Sequence, residues 1–391
     1  MTVTTILLLC AMLAMPPVAL FALEIACAFL ARPNGEPGEA PAFTVLIPAH
    51  DEQAVIAATL SALLPQLRAG DRLLVVADNC SDDTAAIARA MGAEVTERVD
   101  ADLRGKGYAL AHGVAHARQW TNPVIIVVDA DCHVESGALS RLAADVARTG
   151  RPVQGSYLIT APAQGRLAMR FSAFAIRVKN HVRLLGCHAL GVPCILTGSG
   201  MAFPSDTLDS IPIASGEIVE DLLLGIDLAR AGHPPVFSPQ ARIASPLPLD
   251  GKAAEIQRAR WESGYMSIMR RFVLPLLLEG LRRRKLGLIL LGLDIAIPPL
   301  SLLCMLLAVL CALSGLWWLA GGGVAPLALL SGMIALFGGA ILLAWAGYGR
   351  DLLTLREMVL MPVSVLKKMG FYFRLALGPK RGWVRTARDG E

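Results

Sequence analysis

Pro123-Val124-Ile125-Ile126-Val127-Val128-Asp129-Ala130-Asp131 is a continuous apolar run, rich in β-branched residues, that stops at two carboxylates one residue apart. It reads as a buried parallel strand delivering an acidic pair to its carboxyl end. Open α/β sheets bind ligands in the crevice beyond the carboxyl ends of their strands, so Asp129 and Asp131 stand where a substrate would lie. Two such carboxylates repel each other unless a cation sits between them, and hard oxygen donors suit Mg2+ or Mn2+. A divalent ion beside a diphosphate is one reading of the pair. A strand end followed by a polar turn is the other.

Upstream, the pattern alternates strand and helix: a strand at 43–48, an amphipathic run at 55–67 and a second strand at 72–78. Such alternation predicts a parallel sheet with covering helices. Ser81-Asp82-Asp83-Thr84 supplies capping chemistry for the next helix, and Arg104-Gly105-Lys106-Gly107 precedes another. The order is that of a Rossmann-like half. No Gly-x-Gly-x-x-Gly follows the first strand and no Walker-type Gly-x-x-x-x-Gly-Lys occurs, so dinucleotide and P-loop readings lose their main support.

Downstream, 154–159 reads as a strand and 167–185 as a helix with basic residues on one face. The stretch Leu196-Thr197-Gly198-Ser199-Gly200-Met201-Ala202-Phe203 is a small-residue loop in an apolar setting, where glycine lets backbone approach a ligand or simply makes a tight turn. Glu220-Asp221 opens a helix over 222–231, a position that favours acids for electrostatic reasons alone. In Gln257-Arg258-Ala259-Arg260-Trp261, helical spacing puts Gln257 and Trp261 on one face, which an interfacial aromatic anchor would also show.

Composition adds a membrane. The 391 residues are 54% hydrophobic with a mean hydropathy of +0.54, too apolar for an ordinary soluble enzyme. Segments 5–31, 296–318 and 324–347 have spanning length, and the last two are joined through Gly321-Gly322-Gly323 as a hairpin. The first has no basic leading region and reads as a retained anchor rather than a removed signal peptide. Glu24 is its one ionisable group, read here as lying near the interface. Arg32, the cluster Arg282-Arg283-Arg284-Lys285 and the pairs Lys367-Lys368 and Lys380-Arg381 fall on one side, which the positive-inside rule makes cytoplasmic. Segments 271–281 and 352–377 read as helices along the bilayer surface. The net charge of +4 comes largely from these flanks and suggests an anionic membrane lipid surface rather than nucleic acid. Eight scattered cysteines without a Cys-x-x-Cys spacing read as free thiols, with no zinc site.

Taken together, these pieces resemble the membrane-bound family-2 glycosyltransferases of GT-A fold, over nearly the whole chain. Ile47-Pro48-Ala49-His50-Asp51-Glu52 is similar to the family's first-strand motif, so the resemblance implies nucleotide contacts from Pro48, Ala49, His50 and Glu52. It implies that Asp78 reads a uracil ring, that Lys106 lies near the nucleotide, and that Asp129 and Asp131 are the metal-binding Asp-x-Asp. Glu220-Asp221 matches the acceptor-side acidic motif, with Asp221 the base. Gln257-Arg258-Ala259-Arg260-Trp261 is similar to the Gln-x-x-Arg-Trp motif of bacterial polysaccharide synthases, which implies phosphate contacts from Arg258 and Arg260 and an acceptor platform at Trp261. Gly198, Ser199 and Gly200 fall on the acceptor side. Trp383, Arg385 and Thr386 resemble a gating tail. His50 and Asp51 stand where an aromatic and Asn are frequent, and Asn79-Cys80 where Asp-Gly is. Neither departure removes a group the chemistry needs.

The resemblance implies a metal-dependent inverting transfer of a sugar from a UDP-sugar, with Mg2+ or Mn2+, to a lipid-linked or saccharide acceptor in exopolysaccharide or glycolipid synthesis, beside other pathway proteins. Alternatives are a processive β-polysaccharide synthase, an inactive membrane scaffold and a sugar nucleotidyltransferase of similar fold. The expected layout is an anchor at 1–32, a linker at 33–42, a catalytic domain at 43–265 and interfacial helices at 266–295. A transmembrane hairpin at 296–347 and an interfacial helix with cytoplasmic tail at 348–391 complete it, in a bacterial inner membrane with the catalytic domain cytoplasmic.

Overall fold

The computed structural model describes residues 2–36, 38–161, 166–247 and 251–367, with side chains described from 256 in the helix starting at Gly251 and to 365 in the helix Leu355–Lys367. The chain forms two compact units. One takes Arg32–Thr160 and Gly191–Ile268, and the other takes the segment ending at Ala31, Ala161–Leu190 and the chain from Met269.

The first unit is built on an eight-stranded mixed sheet. Its strands are β1 (Phe43–Ala49), β2 (Arg72–Asp78), β3 (Glu94–Arg98), β4 (Val124–Val127), β5 (His133–Val134), β6 (Val153–Thr160), β7 (Met201–Pro204) and β8 (Val236–Pro246), in the order β3-β2-β1-β4-β7-β6-β8-β5. β3, β2, β1 and β4 are parallel, as the apolar runs predicted. β4 meets β7 antiparallel, so the central strand is parallel on one side only. The chain steps outward through β1, β2 and β3, then returns to place β4 on the other side of β1. That reversal point opens a crevice at the carboxyl ends of β1 and β4. Leu46, Leu74, Val76, Ile125, Val127 and Phe203 pack with Leu110 and Val114 of the helix Lys106–Ala117 to form the core beneath it. The 33–42 stretch is tied into this unit, Asn34 donating to Asp145 at 3.1 Å and accepting from Gln240 at 3.2 Å.

The second unit is helical. Among the described residues, Val3–Ala28, Leu300–Leu319 and Ala325–Tyr348 are long and apolar enough to cross a membrane, the three spans expected. With them lies the helix Leu167–Arg177, continued through a π turn (Val178–Val182) into Arg183–Leu190. This segment lies within 43–265 and groups with the helical unit. Its basic residues face partners: Arg170 pairs with Glu357, and Arg177 with Asp351 at 2.6 Å.

Glu24 has partners that the sequence did not reveal: it is 2% exposed and accepts from Arg183 Nε at 2.7 Å, while Arg183 Nη2 pairs with Asp294. A buried ionisable group takes a partner because an unpaired charge is expensive. The close helix contact at Gly186, where any Cβ would collide with the Glu24 backbone, makes the approach possible. The 266–295 stretch is helical: it holds the second half of a 33-residue helix, Gly251–Arg283, followed by Leu286–Ile295 with Leu288, Leu291 and Asp294 buried.

Candidate active site

The acidic loop follows β4 directly. Val128 N donates to Leu46 O at 3.1 Å, extending the parallel ladder one residue, and Cys132 N donates to Asp129 O at 3.1 Å, turning the chain. Between the two acids Ala130 is buried, its carbonyl held at 2.7 Å by the buried Thr59 hydroxyl. The alternation that buries Ala130 leaves Asp129 and Asp131 partly exposed. Oxygens of both acids and the Cys132 sulfur lie within 4.8 Å of one another.

Lys106 enters from the first residue of its helix. Its Nζ contacts Asp129 Oδ1, donates to the Gly198 carbonyl at 2.7 Å and lies 3.7 Å from Glu220 Oε1. Burial works against its charge, but Asp129 and Glu220 overcome that and hold it above the usual lysine range. Burial raises the Asp129 carboxyl, with Lys106 opposing and Asp131 adding. Burial also pushes the Glu220 carboxyl up to about 7, against the pull of Lys106 and with a further push from Asp221.

The small-residue loop closes this cluster from below. Gly198 takes φ +93°, and a Cβ there would stand 3.3 Å from Asp221 Oδ2 and 3.7 Å from Lys106 Nζ, so glycine leaves space between the acid and the ammonium. The Ser199 hydroxyl accepts from Asp129 N at 3.1 Å, fastening the loop to the acidic turn. Gln154, fully buried on β6, donates to Ser199 O at 2.9 Å and accepts from Thr197 N at 2.9 Å. Sequence reasoning placed Gln154 on a strand and missed its role. Its only signal was an amide in an otherwise apolar stretch.

The remaining predicted residues divide by location. Pro48 and Ala49 end β1, and the His50 ring nitrogen Nδ1 lies 2.7 Å from Asp78 O. Glu52 N donates to Thr84 Oγ1 at 2.7 Å, and Asp82 Oδ1 accepts from Thr84 N, the expected capping chemistry. Asp78, at the end of β2, is buried. Its Oδ1 accepts from Arg98 Nη1 at 2.7 Å and from Asn79 Nδ2 at 3.2 Å. Arg258, Arg260 and Trp261 are half-buried on Gly251–Arg283, and among the described residues Arg258 makes no hydrogen bond to the Lys106 cluster. Trp383, Arg385 and Thr386 lie outside the described residues.

Lys106, Asp129, Gly198, Glu220 and Asp221 thus meet although they come from four separate stretches of chain. Comparison with known proteins gives the family and the fold. A mannosyltransferase from Pyrobaculum calidifontis, solved with GDP-Man and Mn2+, superposes over 94% of this chain and 100% of its own at a TM-score of 0.54 and 18% identity, a likeness of fold. Uncharacterized glycosyltransferases of Mycobacterium tuberculosis and Mycobacterium bovis are 38% identical over 121 residues, 29% of this chain and 51% of theirs. A 4,4'-diaponeurosporenoate glycosyltransferase of Staphylococcus aureus is 39% identical over 94 residues, 23% of this chain and 24% of its own. The chain therefore spans about half the length, or less, of the curated relatives it matches. Residues 40–264, more than half of the chain, match the family described as "Glycosyltransferase like family 2", and the protein belongs to that family.

Proposed function

We propose that this glycosyltransferase carries out a metal-dependent, inverting transfer of a sugar from a UDP-sugar to a membrane-associated acceptor in exopolysaccharide or glycolipid synthesis. The observation that carries the reading is the meeting at one ammonium of groups suited to both sides of a transfer: Asp129 of the acidic loop, the Gly198 carbonyl and Glu220 of the second acidic pair. Displacing a nucleoside diphosphate from an anomeric carbon builds negative charge on the departing phosphates. Asp129 and Asp131, hard oxygen donors gathered within 4.8 Å, fit Mg2+ or Mn2+. Such an ion, when bound, supplies charge neutralisation at the diphosphate. Lys106 adds a fixed positive charge beside it, and Arg258 and Arg260 offer forked donors to phosphate oxygens.

Asp221 takes the proton of the attacking acceptor hydroxyl. One displacement without a protein nucleophile inverts the anomeric centre, so an α-linked donor yields a β-linkage. Trp261 offers the acceptor sugar an apolar face, and Gly198, Ser199 and Gly200 let it approach the backbone. Uridine is favoured by the count of free acceptors at Asp78. Among the described residues, both donors to that carboxylate converge on Oδ1, leaving Oδ2 for the single imide N–H of uracil, whereas guanine presents two adjacent donors.

The Arg and Lys residues over 282–285, beside the three apolar helices, favour a multi-pass inner-membrane protein with its site on the cytoplasmic side. A processive synthase needs a polar conduit. Asp294, one of the few polar groups available for it, is committed to Arg183, and Ser314 is buried. A short or lipid-linked acceptor fits better. An inactive scaffold has no need of Asp78, Asp129, Asp131 and Asp221, all present here.

The test is Asp221→Asn, which removes turnover and leaves UDP affinity intact by calorimetry. Collapse of UDP affinity instead assigns Asp221 to the nucleotide site. For the product, purified protein in nanodiscs given UDP-sugar alone makes no large product, and a glycosidase-sensitive ladder without added acceptor decides for polymer synthesis.

A further inference from the structure

Gly264 sits inside the helix Gly251–Arg283, where glycine is among the poorest helix formers and where no positive φ calls for it. What it provides is room. A Cβ at this position would stand 3.1 Å from Val219 Cγ1 and 3.3 Å from both Cβ and Cγ2 of Ile218, closer than ordinary side-chain packing. Ile218 and Val219 lead directly into Glu220 and Asp221. The helix that begins at Glu220 has no capping side chain at Val219, so its first turn is aimed by how these two residues pack. At the other end of the same strap a Cβ on Gly107 would stand 2.5 Å from Ser215 O and 2.9 Å from Ser215 N, main-chain atoms with no rotamer to turn. The stretch leading to the acidic pair is thus clamped by one glycine beside Lys106 and another on the helix of Trp261.

We propose that Gly264 is a positioning residue that sets how far the helix bearing Gln257 and Trp261 stands from the Glu220–Asp221 pair, aligning an acceptor hydroxyl with the group that takes its proton. Residues 257, 261 and 264 recur at i, i+4 and i+7, so the face that Gly264 lays against the strap is the face of Gln257 and Trp261. Trp261 supplies the acceptor platform and Asp221 the base in the reading given above, on which this inference rests. The close contact at Gly264 fixes the separation between them. Reacting groups displaced by about 1 Å lose on the order of 10²-fold in rate, so a few tenths of an ångström are enough to read.

The experiment uses the purified full chain with saturating donor and titrated acceptor. Gly264→Ala lowers kcat by roughly 3- to 10-fold, with UDP affinity unchanged by calorimetry. Adding Val219→Ala removes the nearest of the atoms that the new methyl meets, Cγ1 at 3.1 Å, and restores part of the lost kcat, the Ile218 contacts remaining. Three results overturn the inference: wild-type kcat in Gly264→Ala, a loss that appears as weakened UDP binding, or a loss that Val219→Ala does not lessen. If Gly264→Ala fails to fold and the added Val219→Ala recovers the fold without recovering kcat, Gly264 is a packing residue only. Turnover that survives Asp221→Asn sinks the reading of the base, whereas turnover lost there but intact in Gly264→Ala sinks this inference alone.

Discussion

Two cations in this chain each join a pair of carboxylates drawn from distant segments, in opposite surroundings. In the sheet unit, Lys106 lies between Asp129 and Glu220 with the Lys106 and Asp129 side chains 23% and 26% exposed. In the helical unit, Arg183 joins Glu24 and Asp294 with all three side chains at 4% or less. The first cation is a compact ammonium on a flexible stem, beside a glycine loop; the second is a planar fork whose geometry is filled by its two acids. A site that admits a charged ligand keeps access to water and a cation able to change partners. A cluster that holds segments together buries every member. Charge pairing alone does not separate a functional site from a structural one, but exposure and side-chain stiffness do.

The largest expected effect falls on the exposed cluster. Asp131→Asn, which keeps the shape and removes the charge of one proposed metal ligand, lowers transfer by on the order of 10³-fold. The fold survives because the residue lies in a partly exposed turn. Radiolabelled transfer and a thermal melt measure the two, and wild-type turnover in this variant, or full activity after exhaustive chelation, removes the metal from the mechanism. The buried cluster behaves the other way. Arg183→Met leaves two buried carboxylates without a counter-ion and costs about 3–5 kcal/mol of stability. Neutralising all three positions, as Glu24→Gln, Arg183→Met and Asp294→Asn together, recovers most of that loss. Thermal shift in detergent decides it, and an Arg183→Met protein as stable as wild type would dissolve the contrast.

Why one cluster was legible and the other was not follows from the range of the signals. β1, β2 and β4 are apolar runs ending at polar residues, a pattern local enough to read, and it carried Asp78, Asp129 and Asp131 to the correct edge of the sheet. Glu220-Asp221 and Gly198 were found as short motifs, but their meeting at Lys106 depends on strand order, with β7 inserted antiparallel between β4 and β6, and strand order leaves no local mark. The partners of Glu24 were not legible because they lie 159 and 270 residues further on, where Arg183 looked like one basic residue of an amphipathic helix. Periodicity tells which face of a helix is apolar, but not what covers it. Gly264 and Gln154 were silent for a related reason: each acts through a contact rather than through its own chemistry.

A smaller effect is expected on proton linkage. Glu220 titrates at about 7 in the fold against an ordinary 4.5 in the open chain, so between those values the folded protein holds a proton that the unfolded chain has released. Stability therefore falls as pH rises from about 4.5 to about 7 and levels off above, by at most about 3.5 kcal/mol. Glu220→Gln flattens that slope. Melting temperatures over a pH series in metal-free buffer measure it, and an unchanged slope in the variant assigns the linkage to another group.

The smallest effect concerns a third bridging cation, intermediate between the other two. Arg98 joins Asp78 and Asp100 with side-chain exposures of 12% for the arginine and of 8% and 32% for the acids, and its guanidinium lies 5.5 Å over the Tyr108 ring. Held there, it occupies one oxygen of Asp78, which in the proposed function leaves the other for the base. Arg98→Met keeps an apolar stem over Tyr108 and leaves Asp78 Oδ1 with only the longer bond from Asn79 Nδ2, so that oxygen can take a further donor beside Oδ2, as guanine offers. UDP binding weakens somewhat because the carboxylate is less firmly held, GDP binding gains, and the preference for UDP narrows by roughly fivefold, the worth of about one hydrogen bond. Calorimetric titration with the two diphosphates reads the ratio directly. If both affinities fall together and the ratio stays put, Arg98 only braces the end of β2, and the selection of uridine rests elsewhere in the site.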